Sequence, residues 1–383
     1  MIYLDHAAAT PLSAKVKKAM EPYFADNFFN PSAPYFPAKK VRAEYDTAKD
    51  RIAHTIGAKG NDIVITAGAT ESINLAFTVA TKKVLVLETE HQSVLETAKN
   101  FDCKLIKVDK TGLIVLNDFR KKLDGDVGLV SISLANNELG TIQPLAEISE
   151  IIRAERQNRL KNGNKTPLYF HSDASQALNL IDINVARLGV DLLTINSAKI
   201  YGPKGVGALY VAHGVKLKPI TFGGGQENGL RSGTENVPSI IGFAVAAEEA
   251  KTHLNGNRKH YEKLQKIFRE ELKDAPIEPI FLGNKKHQLL NFCPVAFSGI
   301  DAERIIYKLE DKEIYLSTGA ACAASKGEKS HVLKAIGLTD DEIAGSLRIS
   351  FGALNSEEDI KTAAKEIKTA IEEELARLGG ESA

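Results

Sequence analysis

Short apolar runs rich in Val, Ile and Leu recur along the chain from residue 63, separated by stretches with helical spacing. The runs predict strands at Ile63–Thr66, Val84–Leu87, Lys104–Val108, Gly128–Leu134, Leu168–Ser172, Leu192–Ile195 and Gly207–Val211. Several lack polar alternation, the pattern of strands buried on both faces of a mostly parallel sheet. Between them, Val41, Tyr45, Ala48, Ile52 and Ile56 fall on one helical face. Pro144 opens a second helix carrying Leu145, Ile148, Ile151 and Ile152. The polar segment Arg153–Thr166 reads as a surface extension of that helix and a loop. Near Lys251–Arg258 the sheet pattern ends, and an amphipathic helix with Tyr261, Leu264, Phe268 and Leu272 follows. Isolated strands at Gln288–Phe297 and Glu313–Leu316 come next. A last helix starts at Ser356, with Asp359 at the capping-box position, and stops before Gly379-Gly380. The alternation predicts an α/β fold: a large α/β domain over 12–252, and a smaller α+β domain from 1–11 and 253–383.

Composition narrows the class. The 383 residues carry 49 Lys+Arg against 49 Asp+Glu, so bulk charge offers no grip on nucleic acid or anionic lipid. The longest apolar run, near Ile240–Ala247, is far short of the ~20 residues that span a bilayer. The opening Met1-Ile2-Tyr3-Leu4-Asp5-His6 has no basic-then-apolar pattern, so no signal peptide is expected. Three cysteines, Cys103, Cys293 and Cys322, make neither a disulfide framework nor a metal cluster. A cytoplasmic globular enzyme without a metal is the expectation.

Four places carry candidate chemistry. Lys199 follows the run Leu192–Ile195, where α/β folds bind ligands, and an amine there can form a Schiff base; a solvated turn lysine is the plain alternative. Asp173 ends the run begun at Leu168, placed either to pair with a protonated ring nitrogen or to cap a helix. Thr66–Ser72 joins strand to helix through small residues that let backbone N–H groups approach an anion, or that simply turn the chain. Cys322 sits among small residues without apolar periodicity, in a segment (317–329) that reads as a mobile loop open to thiolate chemistry; burial as a small residue is the other reading. Cys103 and Cys293 border apolar strands and read as core fillers.

Taken together and in order, these motifs resemble the NifS/IscS-type cysteine desulfurases of the class V aminotransferase family. The resemblance starts at Tyr3–Pro11 and runs through Asn30-Pro31-Ser32, Gly68–Ser72, Glu90-His91, Asn136–Gly140, Asp173–Gln176 and the Lys199 segment. It continues through Gly223–Glu227 and Arg231–Asn236 to the Cys322 loop and Leu347–Ser350. It implies the pyridoxal-phosphate-dependent fold of type I, with a seven-stranded, mostly parallel sheet. In that family pattern Lys199 holds pyridoxal 5′-phosphate and moves protons, Asp173 pairs with the pyridinium, Gln176 bonds the ring hydroxyl and His91 stacks on the ring. Ala69 and Thr70 bind phosphate, joined by Thr234 from a second subunit. Asn137 and Arg348 hold the substrate carboxylate. Cys322 takes sulfur from L-cysteine as a persulfide, releasing L-alanine.

The implied partners are a second copy of the chain and a sulfur-acceptor protein, an iron–sulfur scaffold or a tRNA-thiolation protein, without direct nucleic acid or membrane contact. Two departures affect the phosphate cup: Ala198 stands where the family usually has His, and Asn196 where it has Ser, leaving Asn196 or Ser197 as substitutes. Asn228 replaces a common basic residue. The competing enzyme readings are a class V aminotransferase or a selenocysteine lyase, neither of which needs the cysteine; a non-catalytic scaffold of the same fold would need none of these residues.

Overall fold

The structure is a computed structural model that describes residues 1–319 and 329–380. Its centre is a seven-stranded sheet built from β1 (Ile63–Thr66), β2 (Lys83–Leu87), β3 (Asp102–Ile106), β4 (Val127–Ser131), β5 (Tyr169–Asp173), β6 (Leu192–Asn196) and β7 (Gly207–Val211). The spatial order is β1-β7-β6-β5-β4-β2-β3. Neighbours are parallel except β7, which runs antiparallel to both β1 and β6. β1 and β4 are buried along their whole length, which is why their apolar runs show no alternation.

Helices cover both faces of the sheet. One apolar cluster joins the sheet to α1 (Phe36–Thr55) and α3 (Leu145–Lys161), and another packs Phe77 and Leu75 of the opposite layer onto Val84, Val86 and Leu129. Between those two helices in sequence, α2 (Ala69–Ala76) leaves the end of β1. A third cluster gathers Leu4 with residues from Tyr261 to Ile371, around a small antiparallel sheet of Ile280–Phe281, Val295–Ala296, Ser317–Thr318 and Ser346–Arg348.

Five expectations need correction. The amphipathic helix expected to follow Lys251–Arg258 starts earlier: one 35-residue helix, α4 (Val237–Glu271), runs from the large sheet to the third cluster. Its middle, including Asn255-Gly256-Asn257, is solvated and makes no demand on the apolar pattern. Of Gln288–Phe297 only Val295–Ala296 is strand. Arg159, expected at the surface, is buried and donates to the carbonyls of Asp124, Val127 and Thr166, tying α3 to the start of β4. Cys103 lies half-exposed on the edge strand β3, whereas Cys293 is fully buried. The last helix, α5 (Glu357–Gly380), begins where expected, with Ser356 and Asp359 bonding each other's backbone N–H, and continues through the two glycines. Among the described residues no helix is long and apolar enough to cross a membrane.

Candidate active site

The parallel strands end on one edge, and the chain leaving β1, β2, β4, β5 and β6 contributes to a cavity of about 770 Å³ there. From β1 come Ala69 and Thr70, from the turn after β2 His91, and from the turn after β4 Asn137. Asp173 and Gln176 follow from β5, and Asn196, Ala198 and Lys199 from β6. Arg348 enters from the small sheet.

The chain between β1 and α2 is shaped for an anion. Gly68, at φ +145°, precedes the first turn of α2, and no side chain caps that turn. Gly207, opening β7, passes so close that a Cβ there would lie 2.8 Å from the Gly68 Cα, so both positions require glycine. The first-turn N–H groups and the exposed Thr70 hydroxyl face the cavity mouth, an arrangement that favours a phosphate. Glu71 would repel one, but its carboxylate is engaged by the Ala67 N–H at 2.5 Å and by Arg231 Nε at 3.1 Å.

Asp173 accepts from the N–H and hydroxyl of Ser175 (2.9 and 2.6 Å), both on Oδ1. One oxygen is thereby fixed and the other is left to the cavity. The Ser93 N–H donates to His91 Nδ1 at 3.1 Å, so the ring proton sits on Nε2. Burial, countered by Asp173 and reinforced by Lys199, lowers the His91 pKa and keeps the ring neutral. Lys199 Nζ donates to the carbonyls of Ala7 (2.8 Å) and Ala8, while Gln176 Nε2 donates to Ala7 O at 3.0 Å. Asn196 Oδ1 accepts the Ala198 N–H at 3.2 Å. Arg348 is 5% exposed, and its Nε is buried without a partner.

Three predicted residues are not in this cavity. Ser197, the first residue of the 3-10 turn that follows β6, is buried with its hydroxyl turned toward Gly202 and does not line the cavity. Thr234 is exposed beside a separate cleft of about 130 Å³ with Arg231 and Glu227. Cys322 lies outside the described residues; the strand Ser317–Thr318 that leads toward it pairs with Leu347 and Arg348.

The structure also adds residues that motif reading did not single out for a role. Glu90 is buried behind Asp173 and His91, takes the Ser133 N–H at 2.7 Å on Oε1 and leaves Oε2 without a partner. Burial, aided by the nearby Asp173, pushes its carboxyl up to about 8, so it is largely protonated at neutral pH. Glu138 is likewise buried, its carboxyl pushed up to about 7, and it receives the Ser330 hydroxyl at 2.5 Å. His331 Nε2 donates to Glu90 O at 2.9 Å, which fixes the start of helix His331–Ala335 against the same turn. A polar residue inside an apolar run, or a Glu next to a motif His, was the available signal.

An amine, a carboxylate, a neutral imidazole and an uncapped helix N-terminus around one cavity form a donor set that fits pyridoxal phosphate, and the buried Arg348 with its orphaned Nε fits a substrate carboxylate. The chain matches the aminotransferase class-V family model over residues 2–362. It is 42% identical over 374 residues to a cysteine desulfurase IscS 1 of Archaeoglobus fulgidus, covering 94% of each chain. A cysteine desulfurase IscS of Dictyoglomus turgidum is 37% identical, covering 94% of this chain and 91% of that one. A solved NifS-like protein superposes with a TM-score of 0.88 at 32% identity, over 97% of this chain and 99% of the other. A structure described as SspA in complex with cysteine superposes with a TM-score of 0.77 at 31% identity, over 92% and 99%.

Proposed function

This chain belongs to the class V aminotransferase family, and we propose that it is a pyridoxal-phosphate-dependent cysteine desulfurase that passes the sulfur of L-cysteine to Cys322. The observation that carries the reading is the convergence of Lys199, Asp173, His91 and Arg348 on one cavity, in a chain whose sequence carries a cysteine at 322, soon after Ser317 and Thr318.

Ala69, Thr70 and the first turn of α2 would hold the cofactor phosphate, Asp173 the ring nitrogen, Gln176 the ring hydroxyl and Lys199 the aldehyde carbon. When bound, pyridoxal phosphate supplies an electron sink for charge developing beside the substrate amino group. Lys199 Nζ, resting on the Ala7 and Ala8 carbonyls, is placed to take the proton from the substrate Cα and return it. His91 carries its proton on Nε2 and lines the cavity, where it can donate a hydrogen bond while neutral or take up a proton on Nδ1 only by giving up the Ser93 N–H. Arg348 and Asn137 orient the carboxylate. The Cys322 thiolate attacks the substrate sulfur: the S–S bond forms as Cβ–S breaks, the carbon is reduced as the sulfur is oxidised, and Cβ gains a proton to give alanine. No external oxidant enters this balance. Transamination would use the same lysine but has no use for Cys322.

The working unit is a homodimer in which Thr234 serves the neighbour's phosphate site. Thr234 is exposed and lies outside its own chain's cavity, and the large apolar side chains of Phe24, Phe28, Phe36 and Phe222 are exposed as well, which a partner surface would cover. A cytoplasmic sulfur-acceptor protein completes the reaction. The test is stoichiometric release of L-alanine from L-cysteine by the purified yellow protein. Lys199→Ala should abolish it along with the cofactor's absorption band, and turnover by that variant would contradict the assignment.

A further inference from the structure

The opening segment Tyr3–Ala9 touches both ends of the reaction centre. Its Ala7 and Ala8 carbonyls hold the Lys199 amine, and its Asp5 Oδ1 receives Arg348 Nη2 at 2.8 Å. The guanidinium and the carboxylate are both largely buried, with side chains 6% and 17% exposed. Among the described residues Asp5 is the acid hydrogen-bonded to Arg348, and it takes Nη2 while Nε stays unpartnered. A guanidinium has five N–H donors, so this single contact leaves it free to grip a second carboxylate.

Both partners are fixed through their backbones. Asp5 forms a parallel bridge with Ser350, Ala7 N–H donates to Ser350 Oγ at 2.8 Å, and the Tyr3 hydroxyl clamps the Asp5 and Ala9 carbonyls at 2.8 and 3.0 Å. Arg348 sits in the strand Ser346–Arg348, opposite Ser317. An arginine this buried would otherwise have to be desolvated and ordered at each binding event.

We propose that Asp5 is the positioning residue for substrate-carboxylate recognition: by taking Nη2 it holds the Arg348 guanidinium in a binding-ready orientation at the cavity wall. The proposal rests on the desulfurase reading. It predicts a loss confined to ligands that carry a carboxylate. The same pairing could instead act as a competitor that substrate must displace, and the two give opposite results.

The experiment titrates the holoprotein with L-alanine and with ethylamine, which has an amine but no carboxylate, following the cofactor's absorption shift. Asp5→Ala should weaken L-alanine roughly tenfold to a hundredfold, as expected for loss of a charge-assisted contact, and leave ethylamine unchanged. The KM for L-cysteine should rise by a similar factor with kcat nearly kept, and Asp5→Asn, which retains the acceptor oxygen without the charge, should recover part of the loss. If Asp5→Ala does not fold, Asp5→Ser removes the contact with a small polar side chain and carries the same expectation. Equal weakening of both ligands would mean a merely structural residue, and tighter L-alanine binding would mean a competitor; either overturns the proposal. A wild-type holoprotein responding to neither ligand would overturn the function beneath it.

Discussion

Replacing Glu90 by Gln should remove most of the protein's loss of stability between pH 6 and pH 9. The folded carboxyl, pushed up to about 8 from an ordinary 4.5 by full burial, binds its proton more tightly than the unfolded one. Between those two values the native state therefore holds more protons than the unfolded state, and stability falls as pH rises. The whole interval is worth about 5 kcal/mol at roughly 1.4 kcal/mol per pH unit. About 3 kcal/mol of that falls between pH 6 and pH 9, because a share is already lost below pH 6. Glutamine keeps the oxygen that accepts the Ser133 N–H and carries no titrating proton. Urea midpoints measured across this range, with wild type and Glu90→Gln side by side, should diverge with increasing pH in favour of the variant. Glu138, pushed up to about 7, contributes a slope of the same sign in both proteins and cancels in the comparison. Parallel curves would refute the claim that a protonated Glu90 lies behind Asp173.

Two further outcomes follow from the site. Ala198→His restores a donor beside the phosphate cup and should tighten pyridoxal phosphate binding to the apo-protein by roughly tenfold; an unchanged titration would mean that Asn196, whose Oδ1 is already held by the Ala198 N–H, has taken over the contact with its amide group. Light scattering should give a dimer, and Thr234→Ala should weaken cofactor binding by about tenfold; an active, cofactor-loaded monomer would refute the shared site.

The large sheet was legible because its inner strands, such as β1, β2, β4 and β6, are runs of mostly β-branched and aliphatic residues buried on both faces, so pattern and burial coincide. The two-residue strands Ile280–Phe281 and Val295–Ala296 were not, since their pairing is set by partners far away in sequence and leaves no local period. The early start of the helix at Val237 was hidden for the opposite reason: its first half is buried almost all round and its exposed middle carries no apolar period. Among site residues, Lys199, Asp173 and Arg348 could be placed by motif, whereas the bond from Arg348 to Asp5 spans 343 positions and is visible only once the chain is folded. The type of Ser197 suits phosphate, while the 3-10 turn it opens after β6 carries it into the interior toward Gly202.

The central claim is that sulfur leaves L-cysteine by attack of the Cys322 thiolate. Incubating the protein with L-cysteine, without reductant, and mapping its peptides by mass spectrometry tests this directly. The peptide containing Cys322 should gain the mass of one sulfur atom, those with Cys103 and Cys293 should not, and Lys199→Ala should abolish the gain. Full alanine production by Cys322→Ala, with no sulfur on any peptide, would contradict it.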